Sequence, residues 1–76
     1  MTREDEIDLI HKLITHHHSF SVLVTDGTLA IAPEDFDWVV TWNYQDEGIV
    51  YQAMKVFPEA LAAAVFFVDK LHELKG

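Results

Sequence analysis

The sequence predicts a two-layer α+β domain in the order α-β-β-β-β-α, an antiparallel four-stranded meander with both terminal helices packed on one face. Two stretches, Ile7 to His17 and Pro58 to Leu74, carry apolar residues at helical spacing. Between them, Phe20 to Phe57 alternates apolar and polar residues, with turn signals at intervals. A length of 76 residues leaves room for one small domain, residues 1–76.

The first helix is expected to begin at Thr2. Thr2 followed by Asp5 fits a capping box, and Glu4, Asp5 and Glu6 crowd the first turn, where the helix dipole favours negative charge. With residues spaced ~100° apart, Ile7, Leu9, Ile10, Leu13, Ile14 and His17 share one arc of about 160°. Glu4, Asp5, Asp8, Lys12 and His16 fall on the other side.

Phe20 to Thr25 is a β-branched and aromatic run, and Asp26-Gly27 separates it from Thr28 to Ala32. Asp-Gly in that setting predicts a type I′ hairpin turn, with Val24 facing Leu29 and Val22 facing Ile31. Phe20, Val22, Val24, Leu29 and Ile31 then share one face, leaving Ser21, Leu23, Thr25, Thr28 and Ala30 on the other. Pro33-Glu34-Asp35 interrupts the pattern.

A third strand follows from Phe36 to Tyr44, where Trp38, Val40, Trp42 and Tyr44 alternate with Asp37, Val39, Thr41 and Asn43. Gln45 to Gly48 reads as a four-residue loop. A fourth strand, Ile49 to Phe57, would set Trp42 against Tyr51 and Val40 against Ala53. Gln52 to Lys55 are good helix formers, so a helix competes for 49–56, but the β-rich start and the gathering of aromatics favour a strand.

Pro58 suits a first helical position and opens a second helix reaching Leu74, with Lys70, His72 and Lys75 near its C-terminus. Its expected core arc holds Ala60, Leu61, Ala64, Val65, Phe67, Val68, Leu71 and Leu74. Phe66 falls outside that arc, roughly 140° from Leu61, and is expected to project among Glu59, Asp69, Lys70 and Glu73.

Composition narrows the function. The absence of cysteine removes disulfides, zinc fingers and thiol nucleophiles. The acidic start Thr2-Arg3-Glu4-Asp5-Glu6 is unlike a signal peptide, and no stretch nears the roughly 20 apolar residues of a membrane helix, so a cytoplasmic location without membrane contact is expected. A net charge of -8, with five scattered basic residues, disfavours direct nucleic-acid binding.

Catalytic motifs are equally sparse. Ser19 and Ser21 lack a glycine-rich elbow, the paired acids sit at turns or on a polar helix face, and an EF-hand reading of Asp35 to Glu47 fails at Val39 and Val40. No enzyme and no cofactor is expected. The histidine triplet His16-His17-His18 lacks the i, i+4 spacing of helical metal ligands, although His16 and His18 would share a side if the triplet were extended. His17 continues the apolar arc and is expected at the helix-sheet seam, with a polar partner.

Surplus apolar surface remains. Leu23, Val39, Val50, Met54 and Val56 lie on the sheet face away from the helices, and with Phe66 they are the interface candidates for a non-catalytic protein-protein interaction or regulatory module, self-associating as a homodimer through the open sheet face. A second reading is an acidic inhibitor or nucleic-acid mimic presenting Asp35, Asp37, Asp46 and Glu47 to a basic protein partner. The third is a weak metal or pH-responsive site using His16, His17 and His18, with His16 and His18 as the metal-ligand candidates.

Overall fold

The computed structural model describes residues 1–75 and has the element order α1 (Arg3–Thr15), β1 (Phe20–Val24), β2 (Gly27–Glu34), β3 (Asp37–Asp46), β4 (Ile49–Phe57) and α2 (Ala60–Lys75). The strands form one antiparallel sheet in the order β1-β2-β3-β4. Residues 49–56 are strand rather than helix. The core is closed by Ile7, Ile10 and Ile14 of α1, Leu29 and Ile31 of β2, Val40 of β3, and Ala60, Ala63, Ala64, Phe67 and Val68 of α2.

The start of α1 follows its sequence signal. Thr2 Oγ1 accepts from the Asp5 N–H at 3.2 Å, and Asp5 Oδ2 accepts from the Thr2 N–H at 3.2 Å, completing the capping box. Its end does not follow the sequence reading. The His17 N–H donates to the Ile14 carbonyl at 3.2 Å and the His18 N–H to the Leu13 carbonyl at 3.0 Å, while His17 adopts φ 62. This is a Schellman ending with histidine at the left-handed position usually held by glycine. His17 is consequently turned into solvent, and the expected seam position with a polar partner is wrong.

Two hairpin registers differ from the sequence reading by two residues each. In the first, Val24 faces Gly27 and Val22 faces Leu29, so the turn residues are Thr25 and Asp26 rather than Asp26 and Gly27. Gly27 enters the strand at φ +148, and a Cβ there would lie 2.8 Å from Asn43 Cγ. The space lets Asn43 Oδ1 accept from the Thr28 N–H at 2.9 Å. In the second hairpin Asp46 faces Ile49, Tyr44 faces Tyr51 and Trp42 faces Ala53, so a two-residue turn replaces the four-residue loop. Glu47 and Gly48 take φ 52 and φ 80, the positive pair of a type I′ turn. A shift of two leaves every side chain on its face, which is why the expected faces survive.

The helices are rotated relative to their expected arcs. Leu9 and Leu61 are 48% and 53% exposed, whereas Ala63 is fully buried. Ala60, Ala63 and Ala64 make the buried side of α2 thin, which lets it lie close to both the sheet and α1. Pro58 precedes the helix rather than opening it, and the Ala63 N–H donates to the Glu59 carbonyl at 3.2 Å. The sheet and its first turn also satisfy carbonyls near both helix C-termini: Trp38 Nε1 of β3 donates to the Ile14 carbonyl at 3.3 Å, and Thr25 Oγ1 of the β1–β2 turn to the Leu74 carbonyl at 3.1 Å.

Candidate protein-contact site

Cross-strand partners share a face, so the register arranges the uncovered side row by row. One row holds Ala32, Val39 and Val56; the next holds Ser21, Ala30, Thr41 and Met54; a third holds Leu23, Thr28, Asn43 and Gln52; Val50 lies beyond, opposite Gln45. Val50, Met54 and Val56 are thus aligned along β4 and are 55%, 62% and 47% exposed. They form one strip.

The remaining interface candidates separate from that strip. Leu23 is 85% exposed but lies on β1, three strand spacings or about 14 Å away across polar neighbours. Val39 belongs to the open face and is nevertheless buried, because β3 is an inner strand and Ala32 and Val56 flank it. Phe66 does not project. Its ring packs 5.4 Å from Trp42 and 5.2 Å from Phe57, with Lys55 Nζ 5.1 Å and Lys70 Nζ 5.5 Å from its centroid. The aromatic residues of β3 and β4 reach past the alanine face of α2 and enclose it.

Further apolar side chains are exposed beyond the interface candidates: Phe36, 93% exposed in the β2–β3 turn, and three at the β3–β4 tip. Tyr44 and Tyr51 stack with centroids 5.4 Å apart, and they and Ile49 are between 41% and 56% exposed on the face that the helices cover elsewhere. The β3–β4 hairpin therefore outreaches its helical cover, and the helix-side face of its tip carries Tyr44, Tyr51 and Ile49. The available signal was length: the β-rich run from Trp38 to Phe57 is longer than the β1–β2 segment beside it.

The acidic candidates do not form one surface. Asp35, at φ 53, and Asp37 lie at the start of β3, whereas Asp46 and Glu47 lie at its far end, about 30 Å away along ten residues. Glu34, Asp35 and Asp37 do border the apolar strip, in a shallow depression of about 170 Å³ shared with Val39, Met54 and Val56.

The titratable groups are dispersed in the same way. Among the described residues no polar or charged side chain is buried, and no three His, Asp or Glu side chains gather as a metal site would require. The left-handed His17 also removes the extended triplet on which the His16 and His18 pairing depended. Arg3 makes a two-point ion pair with Asp69, Nε to Oδ1 at 2.7 Å and Nη2 to Oδ2 at 3.0 Å, joining α1 to α2 at the surface. Hydrogen bonding from Arg3 holds the Asp69 carboxyl below its ordinary range, with the guanidinium charge adding to the effect. His72 Nε2 lies 3.1 Å from Glu6 Oε1 and makes a second bridge between the helices.

None of the described helices is long and apolar enough to cross a membrane. Comparison with known protein families, curated proteins and solved structures gives no match.

Proposed function

We propose that this chain is a non-catalytic interaction module that associates with protein, including a second copy of itself, through the β4 side of its uncovered sheet face. The observation that carries the reading is the line of Val50, Met54 and Val56, about half exposed on a face that neither helix covers. An ordered strand loses little backbone entropy on docking, because the sheet already fixes it, and the β-branched Val50 and Val56 have few rotamers to lose. Glu34, Asp35 and Asp37 at one end of the strip favour a partner that brings a basic group beside its apolar surface.

Sedimentation velocity of the wild-type chain and of the Met54→Asp/Val56→Asp double variant tests the proposal. Concentration-dependent self-association that the double variant abolishes, with helix and strand content retained, is the expected result. A wild-type chain that stays monomeric and a double variant that sediments identically would remove the self-association reading.

A further inference from the structure

β1 and β4 both end the sheet, yet they offer very different edges. β1 has five residues and β4 has nine. A two-residue hairpin turn closes on a pair that exchanges both backbone hydrogen bonds, which makes Asp46 and Ile49 such a pair. Counting by twos, Ile49, Tyr51, Ala53, Lys55 and Phe57 direct their backbone groups to β3, and Val50, Gln52, Met54 and Val56 direct theirs outward.

Natural edges are usually blunted by bulges, proline or charge. The β3–β4 register runs without a bulge from Asp46–Ile49 to Trp38–Phe57, and Pro58 stands beyond the strand. The one charged residue of β4, Lys55, has its Nζ over the Phe57 and Phe66 rings, at 5.4 and 5.1 Å. β4 is open for pairing.

Resting on the self-association proposed above, we infer that β4 pairs antiparallel with β4 of a second copy, about a two-fold axis at Ala53, to make a continuous eight-stranded sheet. The register follows from the backbone. Centring on Ala53 sets Val50 against Val56 and Gln52 against Met54 of the second copy, so all four outward residues find hydrogen-bonding partners. Centring one residue later would set Val50 against Pro58, which has no N–H; centring one earlier would set Val56 against the turn residue Gly48.

The side chains agree with that register. Ala53, the smallest residue of β4, meets itself at the axis, and Lys55 faces Tyr51 of the second copy rather than another lysine. β4 contains no acid in a chain of net charge -8, so two copies meet there without opposing carboxylates within the strand pair. Ile49 of the second copy falls beside Phe57, at a hollow lined by Leu61, Ala62, Val65 and Phe66 of α2 with Glu59 and Asp69 at its rim. One arrangement thereby covers both the 56% exposed Ile49 and the 53% exposed Leu61, and it joins the two Val50–Val56 strips into one surface.

Two variants of the full chain test the pairing, with sedimentation and circular dichroism as readouts. Ala53→Cys places two thiols at a non-hydrogen-bonded pair, where Cα atoms lie about 4.5 Å apart, within the roughly 4.4–6.8 Å that a disulfide spans. The native sequence has no cysteine to compete. Gln52→Pro removes an outward N–H while leaving the β3 ladder intact. The expected results are a disulfide-linked Ala53→Cys dimer under mild oxidation, and a folded Gln52→Pro chain whose association is weaker by roughly tenfold or more. Crosslinking through Met54→Cys or Val56→Cys but not Ala53→Cys, with Gln52→Pro still dimeric, would overturn edge pairing and leave face-to-face association standing. A wild-type monomer at every concentration would overturn both, and an edge dimer that survives Met54→Asp/Val56→Asp would overturn only the role of the open face.

Discussion

The two faces of the sheet share the same strands but differ sharply in what their apolar side chains do. On the covered face Leu29, Ile31 and Val40 are fully buried beneath α1 and α2, whereas on the open face Met54 remains 62% exposed. Both faces alternate in the same way along the chain, so hydrophobic pattern alone does not separate core from contact surface. Cover and strand position do. Val39 shows the second factor most clearly, because on the open face it is buried by its place on an inner strand between Ala32 and Val56.

The largest expected effect lies on the covered face. Phe67 is fully buried and its ring lies 5.9 Å from Phe20, so Phe67→Ala is expected to lower stability by about 3–5 kcal/mol. Met54→Ala is expected to stay within about 0.5 kcal/mol, as for an exposed site. Urea denaturation of the two variants measures the contrast, and equal losses would break the distinction between the faces. Next in size is Gly27→Ala, which demands a positive φ of an alanine and drives its Cβ against Asn43. A loss of about 1–3 kcal/mol is expected, and an unchanged midpoint would show that Asn43 can withdraw freely.

Smaller changes concern the helical layer. His17→Gly relieves a left-handed histidine in the Schellman ending of α1 and is expected to raise stability by about 0.5–1 kcal/mol in the same measurement. The smallest effect belongs to the exposed Arg3–Asp69 pair. Because Asp69 has a lowered pKa when folded, its contribution is complete above the unfolded value of about 3.9 and is lost as pH falls through the folded one. Asp69→Asn should therefore cost stability at neutral pH and converge with wild type in acid, as followed by thermal melts across that range.

Much of the fold was legible because each element carries its own periodicity. Trp38, Val40 and Trp42 alternate, Ile7, Ile10 and Ile14 recur at helical spacing, and Thr2 with Asp5 marks the helix start. Register was less legible, since a slip of two residues preserves every face and only turn geometry distinguishes the choices. Gly27 looked like a turn glycine but is needed for room beside Asn43, and the type I′ turn formed instead at Glu47-Gly48. A helical wheel carries His17 into the apolar arc only if the helix continues, whereas α1 ends at Thr15.

At the candidate site, the sequence assigned Leu23, Val39, Val50, Met54 and Val56 to the correct face but not to a common patch. Patch membership depends on the strand to which each residue's neighbours belong, and that is a property of pairing rather than of local pattern. Phe66 lies on a polar helix face, and aromatic side chains from β3 and β4 supply the partners that a wheel drawn for α2 alone omits.

The contrast between the faces reduces to one claim, that the β4 side is unsatisfied in the isolated chain. Sedimentation velocity of the wild-type protein from micromolar to near-millimolar concentration addresses it directly. A reversible monomer-dimer equilibrium, suppressed in Met54→Asp/Val56→Asp, is the expected result. A single monomeric species across the whole range would contradict it.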